Sequence, residues 1–283
     1  MILVTGATGN VGREIVKLLF AEGTAVRAAV VSRQDVPKLP VPVPWEIFDF
    51  TNPATYEAAF AGVEKLFLMR PPHIANIQRD MKPVLDYAAK VGVKQIVFLS
   101  LVGAEKNKVV PHAKVEKLLM AGGVPYTLLR CGFFMQNLST THQQDIRDNH
   151  DIFIPAGGGK TAFIDVRDIA AVAAKVLTEA GHEQQAYVLT GSEALDYYEV
   201  AARMQKVLQR PIHYSRPSLF RFAWRLWRRG YPLAYVSVVT GIYLTTRWGL
   251  AERVTPEVMG LLGRSPILFE QFVEDYAAVW QTT

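Results

Sequence analysis

Seven residues near the N-terminus, Gly6-Ala7-Thr8-Gly9-Asn10-Val11-Gly12, place glycine at every third position. That spacing suits the binding of a pyrophosphate. Gly6 lets the chain turn tightly off a preceding strand. Gly9 removes a side chain where phosphate oxygens must approach backbone N–H groups. Gly12 lets the following helix pack closely on a sheet. A helix beginning at Asn10 would aim its unpaired N–H groups and the positive end of its dipole at the same phosphates. Thr8, Asn10 and Val11 lie between and beside these glycines. The apolar run Ile2-Leu3-Val4 before the loop, and Val11, Ile15, Val16, Leu18 and Leu19 after it, predict the strand and amphipathic helix that such a loop needs.

The end of the second expected strand reads Val30-Val31-Ser32-Arg33, with no carboxylate before Asp35. An acid at this point would hold a free ribose 2′-hydroxyl and repel a 2′-phosphate, whereas Ser32 and Arg33 could bind that phosphate. The expected cofactor is therefore NADP(H), with NAD(H) the lesser fit. Arg27, earlier in the strand, could swing to the same place. No tyrosine is followed by Lys in a Tyr-x-x-x-Lys pair, the usual device for lowering a tyrosine pKa in proton transfer. No Ser-His-Asp arrangement is legible, and His142 and His150 lack metal-ligand spacing. His73, in Arg70-Pro71-Pro72-His73, follows a strand and is either a pocket group or a plain loop histidine. Phe133-Phe134-Met135-Gln136-Asn137 offers aromatic and sulfur-bearing side chains to a flat, apolar substrate, or else belongs to the core.

These groups must be positioned by alternating strands and helices. Strands are expected at 1–5, 24–31, 45–48, 65–69, 95–100 and 125–130, and helices at 10–22, 53–60, 75–91 and 111–121. Runs such as Leu66-Phe67-Leu68-Met69 and Ile96-Val97-Phe98-Leu99 are continuously apolar, as strands buried on both faces are. A proline-rich stretch from Pro37 to Pro44 is expected to be loop. The reading is α/β: a Rossmann-type, doubly wound parallel sheet with a smaller, mainly helical C-terminal substrate subdomain. The expected division is 1–150 and 151–283, the second part partly interleaved with the sheet. Within it, 166–178 reads as an apolar helix, and 162–164 and 186–189 as short strands.

The chain has 283 residues, half of them apolar, and a single cysteine, Cys131. One thiol can form no intramolecular disulfide and no multi-cysteine metal site, which fits a reducing compartment, and no metal is expected. The first residues already read as a strand rather than a secretory leader, and no apolar run reaches 18 residues, so a cytoplasmic protein without a transmembrane segment is expected. The net charge of +5 is uneven: 200–251 holds nine Lys and Arg and no Asp or Glu. Within it, Leu219-Phe220-Arg221-Phe222-Ala223-Trp224-Arg225-Leu226-Trp227-Arg228-Arg229 could be an amphipathic helix packed in the ordinary way. That packing is the favoured reading, over a lid above a pocket or a peripheral membrane contact through 216–229. No nucleic-acid motif accompanies the charge, so a small-molecule partner is expected and the oligomeric state stays open.

Thr5-Gly-Ala-Thr-Gly-Asn-Val-Gly12 is similar to the cofactor loop of the NmrA-like family, a branch of the atypical short-chain dehydrogenases/reductases. The likeness continues through Asp49-Phe50-Thr51, through Gly92 to Ser100, through Gly123 to Arg130 and Phe133 to Asn137, and through Phe163 to Ala170. It looks nearest to the triphenylmethane reductase and quinone reductase type. The resemblance implies cofactor contacts at Thr8, Asn10 and Val11 beside the glycines and Arg33, at Asp49 and Phe50, at Met69, Arg70 and Pro71, at Ser100, and at Cys131, Gly132 and Phe133. All lie at strand ends, where a doubly wound sheet binds its ligand. It implies a reach from Ser100 to the nicotinamide ribose. It also places His112 where the isoflavone-reductase branch carries a functional lysine, so His112 is either a proton donor or substrate ligand, or a solvent-facing histidine at a helix start. Three functions stay open. The favoured one is an NADP(H)-dependent oxidoreductase reducing a flat apolar acceptor such as a quinone. The others are a non-catalytic NADP(H) sensor and a nucleotide-sugar epimerase.

Overall fold

The structure is a computed structural model and describes residues 1–281. The chain forms two compact units: Met1–Cys131 with Val166–Leu189, and Gly132–Asp165 with Thr190–Thr283, the last two residues of which lie outside the described part. The boundary expected near residue 150 therefore falls inside the second unit. The chain leaves the first unit at Cys131 and returns to it for one helix and one strand.

The first unit runs β1 (Ile2–Val4), α1 (Asn10–Ala21), β2 (Val26–Val30), β3 (Trp45–Ile47), α2 (Tyr56–Phe60), β4 (Lys65–Met69), α3 (Ile77–Asp80), α4 (Lys82–Lys90), β5 (Gln95–Leu101), α5 (Pro111–Ala121) and β6 (Tyr126–Cys131). The chain then makes β7 (Phe133–Phe134), α6 (Gln136–Ser139), α7 (Gln143–Asn149), β8 (Asp151–Ile152) and β9 (Thr161–Ile164) of the second unit. It re-enters the first with α8 (Val166–Thr178) and β10 (Gln185–Leu189). The sheet has seven parallel strands in the order β10-β6-β5-β4-β1-β2-β3. Succession outward from β1 reverses between β1 and β4, which makes that crevice the topological switch point. Helices α1 and α8 pack together on one face, and α2, α4 and α5 cover the other. Leu3, Leu66, Leu68, Ile96 and Phe98 lie within the core against the second layer.

Two expectations are corrected by backbone chemistry. The helix expected over 75–91 is broken at Met81, because Pro83 sits in the first turn of α4 and has no N–H to carry an α-helix through. The proline-rich stretch is not all loop: Arg33–Lys38 forms a 3₁₀ turn with Pro37 inside it. The second unit continues with β11 (Ala194–Leu195), α9 (Tyr197–Leu208), β12 (His213–Tyr214), α10 (Leu219–Arg228), α11 (Leu233–Arg247), α12 (Glu257–Leu262) and α13 (Phe269–Asp275). Its core gathers Tyr197, Phe269, Phe272 and Trp280.

Candidate dinucleotide site

The glycine loop joins β1 to α1 at the switch point, and its three glycines have different reasons. Gly6 has φ +64°, and a Cβ there would lie 2.1 Å from the Met69 methyl at the end of β4. At Gly12 a Cβ would lie 2.2 Å from the Gly6 carbonyl oxygen, a backbone clash that no side chain can relieve. Gly9 differs: its Cβ would meet only the Gly6 oxygen at 3.3 Å and the Met69 methyl at 3.9 Å. The left-handed backbone thus favours glycine at 6 and a backbone clash requires it at 12, while a side chain at 9 would meet one tight backbone contact and otherwise open space, leaving that backbone exposed to a ligand. Gly9 caps α1 in an extended conformation without a side-chain hydrogen bond, and no acid occupies the helix's first turn. The N–H groups there keep the anion-binding character expected of a helix start. Val11 is buried, so only its backbone can serve, whereas Thr8 is half-buried and Asn10 exposed. These features fit a pyrophosphate.

Thr5, which sequence reading passed over, ties the crevice together. Its hydroxyl donates to the Phe67 carbonyl at 3.0 Å and accepts from the Met69 N–H at 2.8 Å, pinning β1 to β4. Beyond β4, the Arg70 guanidinium turns back to donate to the carbonyls of Pro71, Pro72 and Ile74, at 2.9, 3.2 and 2.8 Å. Burial lowers its pKa. Pro71 is half-buried and His73 is exposed.

At the end of β2, Ser32 and Asp35 form a capping box: the Ser32 N–H and hydroxyl donate to Asp35 at 3.2 and 3.0 Å. Lys38 reaches the same carboxylate at 2.8 Å, and these bonds, that of Lys38 foremost, hold the Asp35 pKa below its ordinary value. The first acid after β2 is thus tied to groups of its own turn. Arg33 is exposed and has no carboxylate partner among the described residues. Arg27 is not available: it donates to the carbonyls of Ala58, Ala59 and Ala61, at 3.2, 3.0 and 2.8 Å. A cation at the carbonyl end of α2 is favourably placed there, which overturns the idea that it swings towards the phosphate. Asp49 accepts from the N–H and hydroxyl of Thr51, both at 2.8 Å. The Phe50 ring is buried edge-on to Phe48, so its backbone is the part left for a nucleotide.

At the end of β5, the buried Ser100 hydroxyl donates to Glu116 at 2.5 Å. Arg130, beside Ser100 in register on β6, makes two bonds to the same carboxylate at 3.1 and 2.7 Å. This buried Ser–Glu–Arg cluster was not foreseen, and Arg130 does more than pack. The available signal was Glu116 on the inward face of α5, between Val115 and Leu119. His112, in the first turn of α5, does not face solvent as a helix-start histidine would. Its Nδ1 is enclosed without a hydrogen-bond partner, and its ring lies 6.0 Å from that of Phe98. Burial, reinforced by the Arg70 charge, lowers its pKa to about 4, so it is neutral near pH 7. Cys131 is buried and its thiol pKa is pushed up by burial, which makes it a packing group rather than a nucleophile.

The remaining expected residues belong to the second unit. Gly132, Phe133 and Phe134 are half-buried, β7 pairing with β9 through Phe133 and Phe163. Met135 is 3% exposed and sits in that unit's core, and Asn137 is half-buried. Gln136, not singled out from sequence, is buried and donates to Asp165 at 2.9 Å. Among the described residues no three His, Cys, Asp or Glu side chains form a group able to hold a metal ion.

The chain is similar to known proteins over nearly its whole length. Residues 1–221 match the NmrA-like family. The chain is 33% identical over 286 residues to the NAD(P)H azoreductase of Xenophilus azovorans, with 99% of each chain covered. Two solved structures superpose closely. The NADPH complex of the Escherichia coli NADPH-dependent quinone oxidoreductase has a TM-score of 0.85 and 27% identity, covering 97% of this chain and 99% of that one. The NADP(H) complex of Citrobacter sp. triphenylmethane reductase has a TM-score of 0.86 and 25% identity, covering 98% and 100%. With a family match over more than half of its length and a fold shared end to end with such structures, the chain belongs to the NmrA-like family.

Proposed function

We propose that this protein is an NADP(H)-dependent oxidoreductase that delivers hydride to a flat, apolar acceptor such as a quinone. The observation that carries the reading is the pairing of a bare Gly9 backbone, where a Cβ would meet one tight internal contact, with an unpaired Arg33 at the end of β2. The first takes the pyrophosphate, and the second, with Ser32 beside it, takes the 2′-phosphate. Asp49 and the Phe50 backbone serve the adenine end. Within the first unit, Met69 to Pro71, Ser100 and Cys131 serve the nicotinamide end, with His73 beyond them. The names of the relatives, which report azo, quinone and triphenylmethane reduction, support turnover over sensing or epimerisation.

When bound, the nicotinamide supplies the hydride, and the chain's part is to bind and orient. Thr5 holds β1 and β4 in register beneath the site. Glu116 fixes Ser100 against Arg130. His112, neutral near pH 7, acts as a hydrogen-bonding group rather than as the proton source. A delocalised acceptor tolerates this, because it can take hydride first and a proton from water afterwards. The test is steady-state consumption of NADPH and NADH with para-quinones, azo dyes and cationic triarylmethane dyes. NADPH consumption with at least one of these acceptors, exceeding that of NADH, is expected. Confirmed NADPH binding without turnover on any of the three classes would overturn the assignment.

A further inference from the structure

Helix α10 presents two faces of different chemistry. Its inner face is fully used. Phe222 and Leu226 are buried, with the Phe222 ring 5.5 Å from Tyr243 and edge-on to it. Arg225 and Arg229 turn inward to Asp145, at 3.2 and 2.7 Å. The cavity left beneath the helix is only about 20 Å³, room for about one water. The outer face carries Phe220, Trp224 and Trp227, which are 88%, 57% and 56% exposed. Their i, i+4, i+7 spacing puts all three rings on one stripe. Leu233, just past the helix, is 70% exposed. Arg221 and Arg228 flank the stripe and have no carboxylate partner among the described residues, Arg228 lying 4.9 Å over the Trp224 ring.

Half of the chain's described large, exposed apolar side chains fall between Phe220 and Leu250, in the same span that has no Asp or Glu. Ordinary packing accounts for the inner face and leaves the outer one unexplained.

We propose that the outer face of α10 is a docking surface for an anionic phospholipid membrane. Exposed tryptophan and phenylalanine beside free arginines are the chemistry of a helix lying in the headgroup region, the rings entering the acyl boundary and the guanidinium groups pairing with phosphate and carboxylate. A second copy is a poor occupant, because two-fold pairing would bring this acid-free face against itself, arginine facing arginine. No described helix is long and apolar enough to cross a membrane, so the contact is peripheral. The inference stands on exposure and charge and does not depend on the proposed reaction.

The test is co-sedimentation of the full chain with vesicles of phosphatidylcholine alone and with about one third phosphatidylserine, tryptophan emission being followed in parallel. Binding to the anionic vesicles, weakening with salt and with a blue-shifted emission, is expected. Neutralising both arginines as Arg221→Gln/Arg228→Gln should weaken it roughly 25-fold, at about fivefold per charge. Trp224→Ser/Trp227→Ser should abolish the blue shift. Circular dichroism and NADPH affinity of the variants show that they are folded. Absence of binding to anionic vesicles would overturn the proposal. So would equal binding of folded variants, or a concentration-dependent dimer that the tryptophan substitutions dissolve. Capture by an acidic protein without vesicle binding would assign the face to that class of partner instead.

Discussion

Gly9→Ala and Gly12→Ala separate a glycine kept for the ligand from one kept for the fold. At Gly12 the new methyl would lie 2.2 Å from the Gly6 carbonyl oxygen and 2.7 Å from its carbon, both backbone atoms. Reaching an ordinary 3.4 Å contact forces α1 away from the loop by more than an ångström. Overpacking of this kind costs about 2 kcal/mol, which lowers Tm by about 3 °C in a chain of this size. At Gly9 the methyl would stand 3.3 Å from its nearest neighbour, and the backbone, at φ −85° and ψ 172°, is open to alanine. The stability cost is the loss of a favourable N-cap glycine, about 1 kcal/mol or less. The same methyl would project where pyrophosphate oxygens must approach, so NADPH affinity should fall at least tenfold. Thermal unfolding by circular dichroism without cofactor, and NADPH fluorescence titration, read the two quantities. Unchanged NADPH affinity in Gly9→Ala would refute the placement of the pyrophosphate. Unchanged Tm in Gly12→Ala would refute the close approach of α1 to the loop.

Arg33→Ala should weaken NADPH by about tenfold or more while leaving NADH nearly unchanged, the effect expected of one charge-assisted phosphate contact; equal losses in paired titrations would remove Arg33 from that role. Glu116→Ala should destabilise by about 2 kcal/mol in urea titrations, because it takes from a largely buried Arg130 the nearer of its two carboxylates, Glu105 remaining at 3.7 Å, and leaves a buried Ser100 hydroxyl without its acceptor; a loss below half of that would mean the cluster is dispensable. Burial lowers His112 and His142 to about 4, the Arg70 charge adding to it at His112 and the Asp145 carboxylate opposing it at His142, so in both the folded state binds the proton less readily than the unfolded chain. Their stabilising contribution is present above pH 6.5 and is lost as pH falls towards 4, at roughly 1 kcal/mol each between pH 7 and 5.5. Urea midpoints that stay level or rise over that interval would contradict the burial of the two rings.

The parallel sheet was legible because its strands are short apolar runs punctuated by glycines and prolines. Helices α5 and α8 were legible to the residue, since Pro111 opens the one and Asp165 to Thr178 reads as an uninterrupted apolar period for the other. Local pattern cannot report partners far along the chain. That 185–189 is the sheet's seventh strand, parallel to β6, depends on an excursion through the second unit that no window of sequence contains. The break at Met81 was readable in principle from Pro83, but the apolar period runs across it and conceals it. In the site, the glycine loop announced itself because its chemistry is local. Arg27 and Arg130 did not, since an arginine's length lets it bond 31 residues away, as Arg27 does to Ala58, or 14 residues away, as Arg130 does to Glu116. The ring beside His112 is that of Phe98 on β5, and the charge acting on it is that of Arg70 in the turn after β4, neither of them a sequence neighbour.

The central claim is that the cradle between β1 and α1 holds NADPH for transfer of its hydride to an apolar acceptor. Single-turnover loss of NADPH absorbance, with the protein in excess over cofactor and a para-quinone present, tests it most directly. The account predicts loss within the dead time or the first seconds with NADPH, slower or absent loss with NADH, and a collapse of the NADPH signal in Gly9→Ala. NADPH that binds but keeps its absorbance with quinone, azo and triarylmethane acceptors alike would contradict it.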